Sequence, residues 1–173
     1  NDQSNCETIA NKFVNDGDDL IYAIATPAAQ AVKGKTDDIP IVISAVTDPK
    51  AAGLVQSNKK PGEHVTGTSD LNPVEEHIEL LQKLIPNAKK VGIMYCSSED
   101  NSIVQAKLAR KAIEKAGMEA QDFTVSETNQ IQQVAESMVG KVDAVYIPTD
   151  NMLAESISSV TSVTNENNLP CIV

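Results

Sequence analysis

Five short stretches of this 173-residue chain end an apolar run with small hydroxylated or acidic residues: ATPA at 25–28, AVTD at 45–48, GTSD at 67–70, SSEDNS at 97–102 and PTDN at 148–151. Such residues supply hydrogen-bond donors and acceptors in close array. Where a strand gives way to a helix, they also stand beside unpaired backbone N–H groups and the positive end of the helix dipole, which suit a small anion such as a carboxylate. A zwitterion fits this set. Its carboxylate would rest on helix N-termini near Thr26 and Ser98, and its ammonium on Asp48 or Asp150. Taken singly, Ser, Thr, Asp and Asn are the ordinary helix-capping residues; five groups along one sheet edge read as a binding surface.

Other chemistry finds little support. The sequence contains no G-x-G-x-x-G, G-x-x-x-x-G-K-[ST], G-x-S-x-G or H-E-x-x-H pattern, so nucleotide, acyl-transfer and zinc-peptidase signatures are lacking. His64 and His77 lie far apart and neither has a nucleophile and carboxylate grouped with it, which points to surface roles. Cys6, Cys96 and Cys171 are widely spaced with no C-x-x-C, so neither a zinc site nor a disulfide framework is indicated. Cys96, at a strand end near a helix N-terminus, sits where a thiol pKa can be lowered, but with no base beside it the residue reads as space-filling. No catalytic residue, cofactor or metal is expected.

The elements that must position the polar groups follow from hydrophobic pattern. Apolar runs at 20–25, 39–46, 64–68, 90–95, 119–125, 142–148 and 169–173 read as strands, the first two as strands buried on both faces. Helices are expected at 4–14 with Ser4 as cap, after Thr26 as cap with Pro27 at the first helical position, after Asn72 as cap with Pro73 and Glu75 in the first turn, at 103–116 before Gly117, at 128–139 before Gly140, and from the 149–151 joint to about 165. Residues 51–55 read as a short helical turn. Strands alternating with helices predict an α/β fold with parallel sheets and right-handed crossovers. The spacing divides near Asp70 into two Rossmann-like lobes, 1–70 and 71–173, with a hinge crossing at 68–72. The chain opens on a helix without a preceding strand and closes on a strand without a following element, so it reads as an excerpt lacking N- and C-terminal segments.

Composition limits the partners. Lys and Arg number 14 against 24 Asp and Glu, a net charge of −10, which disfavours nucleic acid because phosphate binding depends on clustered cations. No apolar run approaches the roughly 20 residues that a spanning helix needs, and the first residues do not form a signal peptide.

IATPAAQA, PIVISAVTDPKAAGLV, VTGTSD, LIPNAKKVGIMYCSSEDNS and VYIPTDN, in that order, resemble the substrate-binding proteins of ABC transporters with a type I periplasmic-binding fold, a family that includes tryptophan- and related amino-acid-binding members. TDP-x-x-A-G-L-V and V-T-G-x-S-D are its most specific parts. The resemblance implies two lobes closing about a hinge on a small ligand, most readily an amino acid and conceivably an aromatic one, and delivery to the permease subunits of an importer. It also implies a monomer outside the cytoplasm, periplasmic or lipid-anchored at the outer face of the membrane. Carried over position by position, the ligand-facing residues are Thr26, Ala28, Thr47, Asp48, Ser97, Ser98, Asn101, Ser102, Thr149, Asp150 and Asn151. The chain departs from the family pattern at Cys96-Ser97, where Asn-Pro is expected. The alternative is the effector-binding core of a transcription repressor with the same fold; an enzyme on a doubly wound sheet is a third reading.

Overall fold

The computed structural model of the chain describes residues 3–173. Their contacts divide into two compact units, Asn1–Asn72 and Pro73–Val173.

The first unit holds helix α1 (Gln3–Asp16), strand β1 (Ile21–Ile24), helix α2 (Thr26–Lys33), and strands β2 (Ile41–Val46) and β3 (Val65–Ser69). The three strands are parallel in the order β1-β2-β3. Ala10 and Phe13 of α1 and Ala29 and Val32 of α2 meet Ile21, Ala23, Ile41, Ile43 and Val65 in one core. That core lies on one face of the sheet. Tyr22 and Ile24 alternate to the other face and remain 58% exposed, with Leu20 beside them at 56%. The expectation that 20–25 is buried on both faces is therefore corrected: among the described residues both helices pack on one side, and the alternation of side chains leaves the other uncovered. Tyr22 keeps its hydroxyl 2.6 Å from Ser44 Oγ on that open face.

The end of β1 also differs from expectation. Helix α2 begins at Thr26, so its N-cap is Ala25 and no side chain caps it. Ala25 takes φ 75°, ψ 154°, a conformation that glycine adopts far more readily. Two backbone bonds hold it there: its N–H donates to Ser44 O at 3.0 Å, and its carbonyl accepts from Ala29 N at 3.1 Å. Ala45, at the end of β2, has φ 51° beside a register shift between Ile43 and Val46. Strain of this kind gathers where strand ends are held in a set shape. Gly67 on β3 has a separate reason, since a Cβ there would run into the Ile43 carbonyl.

The second unit holds α3 (Val74–Leu84), β4 (Lys90–Cys96), α4 (Asp100–Lys115), β5 (Glu119–Val125), a 3-10 turn (Thr128–Gln130) leading into α5 (Ile131–Met138), β6 (Ala144–Tyr146), α6 (Asn151–Glu155), α7 (Ile157–Glu166) and β7 (Cys171–Ile172). Its parallel sheet has the order β5-β4-β6-β7 and is covered on both faces. Val91, Ile93, Ala144 and Tyr146 pack under Ile78 and Leu81 of α3 and Ala109 and Ile113 of α4. Met94, Cys96, Phe123 and Val145 pack under Ile131 and Met138 of α5, Leu153 of α6 and Val160 of α7.

Several boundaries are corrected. Helix α1 contains Ser4, so that residue does not cap it. Pro73 takes the N-cap position of α3 without a side-chain cap bond, in place of Asn72. Helix α4 starts at Asp100, which places Asn101 and Ser102 inside its first turn. The helix expected over 128–139 begins as the 3-10 turn, with Glu127 and Gln130 forming a capping box. The last helix breaks at Ser156 into α6 and α7. His77 is half-buried with Nδ1 3.4 Å from the Tyr146 hydroxyl, so it serves packing beneath α3. No helix among the described residues is long and apolar enough to cross a membrane.

Candidate functional site

In the second unit the chain leaves β4 toward β5 on one side and leaves β6 toward β7 on the other. Loops that follow neighbouring strands and part in opposite directions open a crevice at the strands' carboxyl ends, and ligands of open α/β sheets bind there. The two joints at this reversal are 97–102 after β4 and 147–151 after β6. Seven expected ligand residues lie in them: Ser97, Ser98, Asn101, Ser102, Thr149, Asp150 and Asn151.

Their side chains divide by accessibility. Ser97 and Ser98 are exposed, Thr149 and Asn151 half-exposed, and Asn101, Ser102 and Asp150 buried. The buried three work inside the protein. Asp150 is the N-cap of α6, accepting from Leu153 N at 2.9 Å with Oδ1. Its Oδ2 accepts from Cys96 N at 2.6 Å, tying the end of β4 to the start of α6. Burial pushes its carboxyl above the usual range, against the opposing pull of the Cys96 and Leu153 N–H groups and the Ser102 hydroxyl, and the charge of Glu99 pushes the same way as burial. Both oxygens of Asp150 already accept from backbone amides, so any role toward an ammonium group comes in addition to a structural one.

Glu99 is the residue that sequence reasoning passed over. It was visible only as one acid in a polar run, yet it is buried. Its Oε2 accepts from Asn151 Nδ2 at 2.7 Å, Asn151 N at 3.1 Å and Asn101 Nδ2 at 3.1 Å, and its Oε1 accepts from Met152 N at 3.1 Å. Asn101 Nδ2 also reaches Thr149 O at 3.1 Å. These partners orient the Asn101 amide and leave its Oδ1 buried without a protein partner among the described residues. Cys96 is fully buried with Sγ 3.1 Å from Ser98 Oγ. Burial raises its thiol pKa above the ordinary value, so the position near a helix N-terminus does not activate it.

In the first unit, Thr26, Ala28, Thr47 and Asp48 stand at the carboxyl ends of β1 and β2. Thr26 and Thr47 are buried; Ala28 and Asp48 are half-exposed. Asp48 organises the turn that follows β2: Oδ1 accepts from Lys50 N and Ala51 N, both at 3.1 Å, and from Asn58 Nδ2 at 2.9 Å. The Asn58 bond, with those two amides and the Lys50 charge, holds its carboxyl below the usual range despite partial burial. All three of these bonds fall on Oδ1. Ser69 Oγ donates to Thr47 O at 2.6 Å, fastening the end of β3 to the end of β2.

These edges carry hydroxyls, amides and carboxylates. Two concave surfaces of the second unit lie away from them, one between α3 and α4 lined by Glu75, Ile78, Gln82 and Lys115, the other between α5 and α7. Both are formed by helix flanks and carry no part of the strand-end chemistry.

Comparison with known proteins gives the same direction. The family described as ABC transporter substrate binding protein matches residues 1–173. A tyrosine-binding protein of Clostridioides difficile (strain R20291) is 45% identical over 172 residues, covering 99% of this chain and 50% of its own. Among solved structures, an ABC domain from Streptococcus pneumonia in complex with L-Trp is 42% identical with a TM-score of 0.95, covering 98% of this chain and 59% of the other. A conserved domain protein from Vibrio cholerae is 35% identical with a TM-score of 0.95, over 98% of this chain and 57% of its own. The chain spans about half the length of the curated relative it matches. The family and the relatives described with tyrosine and L-Trp are binding proteins and not enzymes, the repressor reading is not favoured, and the chain belongs to the ABC transporter substrate-binding proteins.

Proposed function

We propose that this chain is the ligand-capturing part of an extracytoplasmic receptor for an amino acid, with an aromatic amino acid as the first candidate, serving an ABC importer through its permease subunits. The observation that carries the reading is the pair of polar joints on either side of the strand-order reversal in the second unit, with Ser97 and Ser98 exposed at its rim. Members of this family are generally extracytoplasmic. The relatives whose descriptions name tyrosine and L-Trp support the ligand class. The ligand carboxylate is taken by hydroxyl and amide donors around Ser97 and Ser98 and, on the first unit, around Thr26 and Ala28, where the positive end of α2 adds to the attraction. In the first unit, Asp48 Oδ2, which the turn's own bonds leave out, is the acceptor for a ligand ammonium group. A lipid anchor at the outer membrane face and a monomeric state belong to the same reading.

The test is calorimetry on the full-length protein with L-Trp, L-Tyr and a panel of non-aromatic amino acids. Saturable binding of at least one amino acid, weakened about tenfold by Asp48→Ala, a loss of one charge-assisted bond, is the expected result. Absence of heat with every amino acid in the panel overturns the proposal.

A further inference from the structure

Glu99 accepts from donors on both sides of the reversal crevice. One, Asn101 Nδ2, belongs to the first turn of α4; the other three, Asn151 N, Asn151 Nδ2 and Met152 N, belong to the first turn of α6. Four N–H groups converge on a carboxylate that no Lys or Arg accompanies in the ion pairs of the described residues. Burying such a group is costly, and it is tolerated only where its hydrogen bonds are complete. We propose that Glu99 is the positioning residue of this binding edge: it locks the two joints to each other, so that Ser97, Ser98 and Thr149 are presented to a ligand in one fixed arrangement. The inference rests on the amino-acid-receptor reading above for its ligand and deepens it by naming the residue that sets the geometry.

Glu99→Gln isolates the role. Its side chain has the same length but only one acceptor oxygen. If that oxygen serves Asn101 and Asn151, the new NH2 group faces Met152 N–H; if the amide turns over, the NH2 faces the other three donors. Either way the tie between the joints is weakened, by the loss of the Met152 N–H bond in the first orientation and of the two Asn151 bonds in the second. Asp143 supplies the control, since its Oδ2 accepts from Lys89 N at 2.8 Å and Lys90 N at 2.9 Å at the opposite end of β4 and β6.

In full-length ligand-free protein, Glu99→Gln raises amide hydrogen exchange about tenfold or more at both 97–102 and 149–153, as expected for losing charge-assisted bonds, while Asp143→Ala leaves both segments unchanged. L-Trp or L-Tyr affinity falls by a similar factor in Glu99→Gln and stays within about twofold in Asp143→Ala. The inference is overturned if exchange at 97–98, which Glu99 does not bond, is unmoved, or if the two variants lose affinity alike. Should the wild-type protein bind no amino acid, the exchange result still decides whether Glu99 couples the joints, and the binding result counts against the receptor reading alone.

Discussion

Asp150 shows how one residue type carries two duties that the sequence does not separate. Asp in a strand-to-helix joint is either a cap or a ligand partner, and the two are indistinguishable in sequence because both need an exposed acceptor near backbone amides. The difference lies in a partner 54 positions away: Cys96 N–H, which takes Oδ2 while Leu153 N–H takes Oδ1. Removing that carboxylate leaves a buried N–H at Cys96 unpaired and α6 uncapped. Asp150→Ala is therefore expected to lower stability by about 2 kcal/mol, the sum of a lost cap and an unpaired buried donor, as read from the midpoint of urea unfolding. An affinity loss in this variant is inseparable from that destabilisation, whereas Asp48→Ala, in a half-exposed turn, serves as a ligand probe. Glu99 was less legible still. Nothing in SSEDNS distinguishes a buried acid from a solvated one, and only the approach of Asn151 and Met152 in three dimensions does so.

Elements were more legible than residues because their signals are local. Apolar runs with strand character located the seven strands of the described residues, and Gly117 and Gly140 marked where the chain turns after α4 and after α5. Caps failed where backbone geometry replaced a side chain: Ala25 closes β1 through strained dihedrals and Pro73 opens α3, and neither has a signature. The break at Ser156 was invisible for the same reason, since a polar residue within a helical pattern looks like a solvated face. Long-range carboxylate ties also join elements, and Asp143 is one that pH can test. Its bonds from Lys89 N and Lys90 N hold its carboxyl below the ordinary value of 3.8, so the folded state binds the proton less readily than the unfolded chain. The stability it contributes is present above that ordinary value and is lost as pH falls through the depressed one. Asp150, raised by burial, runs the other way in the pH-dependent part of its contribution, which is present below 3.8 and is lost as pH rises through its elevated folded value, apart from the backbone bonds that Asp150→Ala removes. Asp143→Asn, which imitates the protonated form, should lower the urea midpoint at neutral pH, with the gap to wild type narrowing as pH falls below the ordinary 3.8 and through the depressed folded value. A gap that stays constant from neutral to acid pH refutes the charge-assisted role. The effect will be small, because Asp143 is exposed and solvent screens its charge.

At the scale of the molecule, the two units are built to different degrees of completion, and the reason is geometric. In the second unit, crossovers pass on both sides of the sheet, so α3 and α4 cover one face and α5, α6 and α7 the other, giving two separate apolar clusters around one set of strands. In the first, α1 and α2 share a single cluster, and the face bearing Leu20, Tyr22 and Ile24 has no described cover. The sequence shows β1 as a continuous apolar run, which is the pattern of a strand covered twice; that run demands burial, and among the described residues only half of the demand is met. Side chains of this size each gain about 1.5–3 kcal/mol from full burial, a large amount against the 5–15 kcal/mol that separates folded from unfolded states. Produced separately, residues 73–173 should therefore unfold cooperatively in urea and give a dispersed amide spectrum. Residues 1–72 should bind an apolar dye such as ANS, and a Tyr22→Thr, Ile24→Thr pair, which keeps strand propensity while removing apolar surface, should reduce that binding severalfold. Equal cooperativity and equal dye binding in the two fragments would contradict the claim that one-sided cover sets their difference.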